Sequence, residues 1–472
     1  MCGICGIVHR KSDFPVESRD IQNMCDVIKH RGPDDEGQFV HQNVGIGMRR
    51  LSIIDLSTGA QPIFNEDRSM AIVFNGEIYN HAQLRHELQA KGHSFVTKTD
   101  TEAILHAYEE FGVDCVERLN GMFGFAIWDG RKNRLFVARD RIGIKPLYYY
   151  CDDEQFVFGS ELKSIVQVDT VPREIEPRAL DTFLTFEYIP SPYSIFKHVF
   201  KLPPGHWLLY ENGDVKIRQY WQLEYHRSQA SQPHIEETLQ ELLQDAVDIR
   251  LMSDVPLGAF LSGGLDSSSI VAMMCRASSD RVKSFSIGFD DSTYNELPFA
   301  RTIANHFGTE HFEEIITPDV SSLTEKILWM LDEPFGDFSV FPTYLVSQMA
   351  RKNVTVVLSG DGGDELLAGY DTYIAQQVAR RYAKLPAFLR NGAIEPIVNA
   401  LPPTDKKKGF INKSRRFVEG ARLPAELQHV RWMIFLQQAE KELLYSSDFR
   451  QSLLGYDAHG FIREYLDRKS VV

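Results

Sequence analysis

Cysteine is scarce in this 472-residue chain, and what is missing around its six cysteines is informative. Cys2, Cys5, Cys25, Cys115, Cys151 and Cys275 are too thinly spread for the disulfide framework of a small secreted protein, so reduced thiols are expected. Cys2 and Cys5 form a C-x-x-C pair, but no second pair completes a four-ligand zinc site, which leaves zinc or redox chemistry as the minor alternative there. No window approaches the roughly eighteen apolar residues of a membrane-crossing helix, and the N-terminus lacks a basic stretch followed by an apolar run. A cytoplasmic protein without a membrane partner is expected. Positive charge is also in deficit: 51 Lys plus Arg against 65 Asp plus Glu give a net charge of -14. Such a surface repels phosphate backbones, so nucleic acid is not an expected partner. Internal repeats and low-complexity tracts are absent.

What is present is an ordinary globular composition, 43% hydrophobic and 25% charged, on a chain long enough for two domains. Residues 1 to about 210 read as short strands divided by turn signals. Candidates are Gly3–Val8, Met70–Phe74, Phe123–Trp128 and Leu135–Ala138, the last two joined across Asp129-Gly130, with helical stretches at Asn80–Lys91 and Thr101–Phe111. Stacked antiparallel sheets fit this pattern. A polar stretch, Tyr225–Pro233, precedes an amphipathic helix expected over His234–Met252, which places a linker at 211–233 between domains at 2–210 and 234–472. Beyond it, the strands Val255–Leu261, Ser284–Phe289 and Val354–Leu358 alternate with helices, the rhythm of a doubly wound parallel sheet and an α/β domain. After about Tyr370 the pattern is helical, and Lys406-Lys407-Lys408 reads as a solvated face.

The chain opens Met1-Cys2-Gly3-Ile4-Cys5-Gly6. A small second residue allows removal of the initiator methionine, which would leave Cys2 with both a thiol and an α-amine. The amine, with a pKa near 8, can take the proton of a thiol near 8.5, so no histidine partner is required. Taken alone, Cys2 could equally be a plain buried thiol. Downstream, however, come His30-Arg31-Gly32-Pro33-Asp34, Arg50-Leu51-Ser52-Ile53-Ile54-Asp55, Phe74-Asn75-Gly76-Glu77-Ile78-Tyr79-Asn80, Thr99-Asp100-Thr101-Glu102, and Arg139-Asp140-Arg141 with Gly143, Lys145, Pro146 and Tyr148. Together with Cys2-Gly3-Ile4, these six ordered pieces resemble the glutaminase domain of class II amidotransferases, as found in glutamine-hydrolysing asparagine synthetases.

The resemblance implies an α+β N-terminal domain, the αββα sandwich of N-terminal-nucleophile hydrolases, with Cys2 as nucleophile. It also implies that the Asn75 side chain and the Gly76 N–H stabilise the oxyanion formed on the glutamine amide, such donors being worth about 3 kcal/mol each. Gly76 admits close backbone approach. Arg50 offers a planar fork for the substrate carboxylate, Leu51, Ser52, Ile53 and Ile54 line the glutamine site, and Asp100 with Glu77 holds the α-ammonium group. Met48 departs from the family, which often has histidine there. Taken singly, Arg50 and Asp100 would be surface charges, and Asn75-Gly76 would be a hairpin turn.

In the second half, Phe260-Leu261-Ser262-Gly263-Gly264-Leu265-Asp266-Ser267-Ser268-Ser269 stands between an apolar strand and the helix Ile270–Arg276. Glycines and hydroxyls converging on a helix N-terminus form a receptacle for an anion such as pyrophosphate. There is no Gly-Lys-Ser/Thr, so this is not a Walker A loop. It resembles the pyrophosphate loop of synthetases that cleave ATP between its α and β phosphates. Carboxylates at a second strand end, in Ser359-Gly360-Asp361-Gly362-Gly363-Asp364-Glu365, suit magnesium and phosphate chemistry. By resemblance, Leu261, Ser262, Gly263, Gly264, Asp266, Ser267, Ser268, Ile287, Ser359 and Gly360 hold ATP, Asp266 and Asp364 bind Mg²⁺, and Asp361 assists ammonia attack. Further agreement lies in Ser286-Ile287-Gly288-Phe289, His306-Phe307-Gly308-Thr309-Glu310-His311 and Asp332-Glu333-Pro334-Phe335-Gly336-Asp337. His306 and His311 are given packing roles, not metal ligation.

The combined reading is a two-part enzyme: glutamine yields ammonia at Cys2, ATP adenylates a carboxylate, best matched by aspartate, and ammonia attacks the acyl-adenylate to give asparagine, AMP and pyrophosphate. An enclosed passage for ammonia and pairing of two copies through the glutaminase domain follow from the resemblance alone. The alternatives are an amidotransferase acting on a different carboxylate, of a surface sugar, a peptide or a secondary metabolite, and a glutaminase or nucleotide-binding module whose synthetase half is inactive. Family members usually continue beyond the point corresponding to Arg468-Lys469-Ser470-Val471-Val472, so the synthetase domain is expected to be short at this end.

Overall fold

Alternation with a period of two dictates the N-terminal half: each strand presents one set of side chains to one face and the next set to the other. The computed structural model describes residues 1–226, 228–290, 295–316, 320–402, 409–423, 425–460 and 462–463. Twelve strands among the described residues build this half: β1 (Gly3–His9), β2 (Asp35–His41), β3 (Val44–Arg50), β4 (Ile63–Phe64), β5 (Met70–Ile78), β6 (Gly121–Asp129), β7 (Arg134–Arg139), β8 (Tyr148–Cys151), β9 (Gln155–Gly159), β10 (Val199–Lys201), β11 (His206–Glu211) and β12 (Asp214–Gln219). They form two six-stranded sheets, ordered β10-β8-β9-β1-β3-β2 and β12-β11-β7-β6-β5-β4. Every neighbouring pair is antiparallel.

Ala71 and Val73 of β5 meet Ile4, Ile46 and Met48 of the first sheet in a core between the sheets. Ile72 and Phe74 point the other way, onto Leu84, Leu88 and Ile104 of the helices His81–Ala90 and Asp100–Phe111. On the far side of the first sheet the helix Ser18–Asp26 buries Ile21, Met24 and Cys25. Helix, sheet, sheet and helix thus stack in the expected αββα order.

The second half is α/β. Strands β13 (Leu257–Phe260), β14 (Lys283–Phe289), β15 (Glu310–Ile316) and β16 (Val356–Leu358) pair in parallel in the order β15-β14-β13-β16. Helices cover both faces. Val271 and Met274 of Leu265–Ala277, with Ala300 and Ala304 of Leu297–Phe307, pack with Ala259 on one side. Val346, Met349 and Ala350 of Val340–Ala350 pack with Phe285 on the other. The sheet is doubly wound, and the chain turns back at β13, which places a topological switch point there.

By compactness the chain divides into two units, Met1–Ala179 with Ile189–Leu358, and Leu180–Tyr188 with Ser359–Val472. The second unit is helical, including Asp371–Tyr382, Phe410–Ala421 and Gln438–Leu444. Its buried polar centre is Lys441, whose Nζ donates to Asp181 Oδ1 at 2.7 Å and to Thr185 Oγ1 at 2.8 Å, while the Tyr445 hydroxyl donates to the same Asp181 oxygen at 2.6 Å.

Three expectations change in detail. The strand expected over Met70–Phe74 runs on through Asn75-Gly76 to Ile78, because β6 pairs along its whole length, Asn75 opposite Gly124 and Gly76 opposite Phe123. The stretch 211–233 contains β12, whose hairpin with β11 closes through Asn212 and Gly213, both at positive φ, the signature of a two-residue turn. The helix expected over His234–Met252 runs from Gln232 to Asp248, with Pro233 in its first turn. The run Lys406–Lys408 and the ending Arg468–Val472 lie outside the described residues.

Removing Lys441 strands the Asp181 carboxylate in the second unit's interior. Lys441→Met is expected to destabilise that unit by about 3 kcal/mol or more, and Lys441→Met combined with Asp181→Leu by clearly less, because the double change removes both charges. Urea unfolding of the three proteins, followed by tryptophan fluorescence, checks the order.

Candidate active site

The nucleophile position is set at the mouth of β1. Cys2 immediately precedes Gly3, and a C-x-x-C spacing on a strand sends its two thiols to opposite faces, so Cys2 and Cys5 do not meet. Cys5 points outward to Cys25, with sulfurs 3.5 Å apart, and the six cysteines are free thiols. The zinc or redox alternative for this pair therefore falls. Cys2 Sγ instead accepts from the Leu51 N–H at 3.4 Å and faces the Leu51 carbonyl at 3.6 Å, while Arg31 Nε donates to the Cys2 carbonyl at 2.8 Å. Burial pushes the thiol up and the amine at the chain's start down, to about 5.

Cys2 opens onto a cavity of about 310 Å³, within the range of small-ligand sites. Its walls include Arg50, Leu51, Ile53, Ile54, Asn75, Gly76, Glu77 and Asp100, which the sequence had pointed to from three separate motifs. Asn75 is buried on β5, yet its Nδ2 has no hydrogen-bond partner in the protein, which leaves a donor free for a ligand. At Gly76 a Cβ would stand 2.1 Å from the Met122 carbonyl oxygen, so only glycine lets β5 and β6 approach there.

The loop after β3 is shaped by Arg50, whose Nη2 donates to the carbonyls of Ile54 at 3.0 Å and Asp55 at 2.8 Å. The residues Leu51, Ile53 and Ile54 reach the cavity, but Ser52 does not. Its N–H is turned to Asp34 Oδ2 at 3.0 Å, which makes it a brace for the loop. Across the cavity, Asp100 begins the helix capped by Thr99, whose side chain accepts from the Glu102 N–H. Asp100 Oδ2 accepts from the Ile78 N–H at 3.0 Å, and Glu77 Oε1 is buried without a partner. Burial raises both carboxyls, and for Glu77 the Asp100 charge adds to it. Two crowded carboxylates with spare lone pairs suit an incoming cation such as an α-ammonium group.

Sequence reasoning used Lys145 only as part of a recognition pattern and passed over Gln61, yet both line the cavity. Lys145 Nζ sits 3.3 Å from Met1 Sδ and is lowered by burial. Gln61 Oε1 receives the Phe74 N–H at 2.8 Å, fixing the strand just before Asn75. The Lys145-Pro146 pair within the Arg139 motif was the available signal for the first. Gln61 carried none. Thr355, Val356 and Val357 also line the cavity, so it borders β16 of the parallel sheet.

The phosphate-loop candidates gather at the carboxyl ends of β13 and β14. Leu261 N–H donates to the Phe285 carbonyl at 2.9 Å, and Ile287 lies on β14 beside it. Ser262 Oγ and Ser267 Oγ are 2.9 Å apart, and the Gly264 N–H donates to Ser262 Oγ at 3.2 Å. Gly263 has φ +84°, and a Cβ there would sit 2.6 Å from the Ala300 nitrogen. Gly264 caps the helix Leu265–Ala277, Asp266 is in its first turn, and Ser268 Oγ is buried without a partner. In the second unit, Ser359 Oγ donates to Asp361 Oδ2 at 2.9 Å, Gly360 follows it, and Asp364 lies in the first turn of the helix Gly363–Leu367. His311 contacts Ser284 Oγ at 2.9 Å, and the His306 ring stacks edge-on with Phe307.

Because Asn75 Nδ2 bonds to nothing in the protein, removing it should cost chemistry and not stability. Asn75→Ala is expected to lower turnover at the Cys2 cavity about one hundred- to one thousandfold, with KM and the thermal midpoint little changed, as steady-state kinetics and calorimetry would read.

The sequence family defined by a glutamine amidotransferase domain matches residues 1–221, and that defined by asparagine synthase matches residues 238–470. A provisionally named glutamine-hydrolysing asparagine synthetase 2 of Methanocaldococcus jannaschii is 43% identical over 416 residues, covering 83% of this chain and 79% of its own. Glutamine-hydrolysing asparagine synthetases 1 and 3 of Bacillus subtilis are 37% and 34% identical, over 83% and 78% of this chain but 62% and 63% of their own lengths. The chain thus spans less than two thirds of the two Bacillus proteins. The solved Bacillus subtilis glutamine phosphoribosylpyrophosphate amidotransferase overlays with a TM-score of 0.36 at 16% identity, over 69% of this chain and 70% of that one, too loosely to argue from. On its two domain matches and its identity to these relatives, the chain belongs to the glutamine-hydrolysing asparagine synthetase family.

Proposed function

We propose that this protein makes asparagine from aspartate, ATP and glutamine-derived ammonia. The observation that carries the reading is the cavity that brings the Cys2 thiol, the unpartnered Asn75 donor and the buried Glu77–Asp100 pair to one place. With Met1 removed, the α-amine belongs to Cys2. That amine accepts the thiol proton as sulfur attacks the glutamine amide carbon, and returns it to the departing nitrogen. Asn75 Nδ2 and the Gly76 N–H stabilise the oxyanion, Arg50 takes the α-carboxylate, and Glu77 with Asp100 takes the α-ammonium. Collapse of the tetrahedral intermediate forms a thioester and frees ammonia, and water then releases glutamate.

In the second half, Ser262 to Ser268 cradle the ATP phosphates at the switch point of the sheet, where the helix N-terminus favours negative charge. Leu261 and Ile287 hold the nucleotide from the β13 and β14 ends, and the family resemblance assigns Ser359 and Gly360 to it as well. The Asp266 and Asp364 carboxylates are hard oxygen donors of the kind Mg²⁺ takes, and the ion would neutralise phosphate charge. Asp361 assists ammonia attack on the acyl-adenylate. The border of the glutaminase cavity with Val356 and Val357 supports delivery of ammonia toward the sheet without release to water. Pairing of two copies and a cytoplasmic location complete the proposal.

The test uses purified protein with Mg²⁺, ATP, aspartate and amide-¹⁵N glutamine, and a parallel reaction with free ammonium. Labelled asparagine with AMP is expected. Cys2→Ala should abolish the glutamine-driven product and leave the ammonium-driven one. Glutamate without AMP in either reaction would refute asparagine synthesis, and glutamate release that survives Cys2→Ala would refute the nucleophile.

A further inference from the structure

Two motifs that no step of the reaction uses, His30-Arg31 and Asp332-Glu333, meet through Glu161 and Lys163 in one buried charge chain. Arg31 Nε holds the Cys2 carbonyl at 2.8 Å, and its Nη1 donates to Glu161 Oε1 at 2.8 Å. His30 Nε2 shares that oxygen at 3.1 Å. Lys163 Nζ donates to Glu161 Oε2 at 2.6 Å and pairs with Asp332, whose Oδ2 also receives the Lys163 N–H at 3.1 Å. Next to it Glu333 pairs with Lys201. Trp329 packs against the chain, its ring 4.9 Å from that of His30 and 4.7 Å from Lys163 Nζ.

We infer that Lys163 and Asp332 are positioning residues that tie the Cys2 main chain to the loop following the helix Val320–Leu331 in the synthetase half, so that glutamine hydrolysis depends on the seating of that loop. Four observations support this. The chain of contacts is continuous from the nucleophile's own carbonyl to Asp332. All its ionic side chains are largely withdrawn from water, with exposures of 8 to 12% for Arg31, Glu161 and Lys163 and 7% for Asp332, so each charge depends on its neighbours. Asp332 sits at φ +67°, a left-handed conformation that is uncommon outside glycine. His30 Nδ1, Arg31 Nη2 and Glu333 Oε2 remain buried without partners, an incompletely satisfied network that a purely structural staple has no reason to keep. The loop Asp332–Asp337 leads directly into the helix Val340–Ala350, which packs on Phe285 of β14, next to the phosphate-loop strand. A change at the nucleotide end of the sheet therefore has a packed route to Arg31.

The inference rests on the two-site reading, and the test separates the two. In full-length protein, Lys163→Met, Lys163→Arg and Asp332→Asn are compared with wild type for glutamate release and for ammonium-driven AMP release. For Lys163→Met and Asp332→Asn, kcat for glutamate release is expected to fall about tenfold with KM within about threefold, since displacing Cys2 affects attack more than binding. Ammonium-driven AMP release should stay within about twofold, and Lys163→Arg should restore hydrolysis. Unchanged hydrolysis, a parallel loss of both rates, or no rescue by arginine would overturn the positioning role. A wild-type protein that frees glutamate but no AMP would sink asparagine synthesis instead, while the glutamate rate and the thermal midpoint would still decide the relay.

Discussion

Everything in the glutaminase half hangs on holding the first residues of the chain still. A terminus is ordinarily the least ordered part of a protein. Here β1 is clamped between β3 and β9 in the middle of a sheet, and the Cys2 carbonyl is held by Arg31 while its sulfur meets the Leu51 N–H. That clamp brings a thiol and an amine together in a place poor in water. Burial raises the Cys2 thiol and lowers the amine of Met1 beside it.

The rest of the site answers that constraint from other elements. β5 runs in the facing sheet and presents Asn75 with its donor unspent, and Gly76 allows the strands to close behind it. The Arg50 loop closes one side, and the crowded pair Glu77 and Asp100 the other. Burial raises both carboxyls, and a bound ammonium would favour their charged forms and pair with them. In the α/β half the loop after β13 gathers N–H groups and hydroxyls at a helix start, where the glutaminase half has carboxylates.

Much of this was legible in the residues because the signals were local. The strand starts at Gly3, Met70 and Ser284, the helix from Asp100 and the Ser262–Ser269 turn each announce themselves within about ten residues. The family resemblance gathered Cys2, Arg50, Asn75 and Asp100 before any geometry did. What escaped depends on distant partners. Asn75-Gly76 has the composition of a hairpin turn, and only the nine-residue pairing with β6 makes it strand. Ser52 sits among cavity residues in sequence but turns to Asp34. Gln61 has no motif of its own and matters because it braces Phe74. The stretch Leu180–Tyr188 joins helices more than 250 positions later through Asp181 and Lys441, a pairing no local pattern announces. The Asn212-Gly213 turn, by contrast, was a local signal that went unused.

The central claim is that the buried start of β1 makes its own amine the base for Cys2. The most direct test follows the pH dependence of inactivation by a glutamine analogue bearing an electrophilic diazo ketone, with the intact mass and the labelled peptide read at each pH. The account predicts a protein lacking Met1, a single label on Cys2, and a rate that rises with one ionisation well below pH 8. A retained Met1 in fully reactive protein, a label elsewhere, or a rate that climbs only with a thiol ionisation near or above pH 8.5 would contradict it.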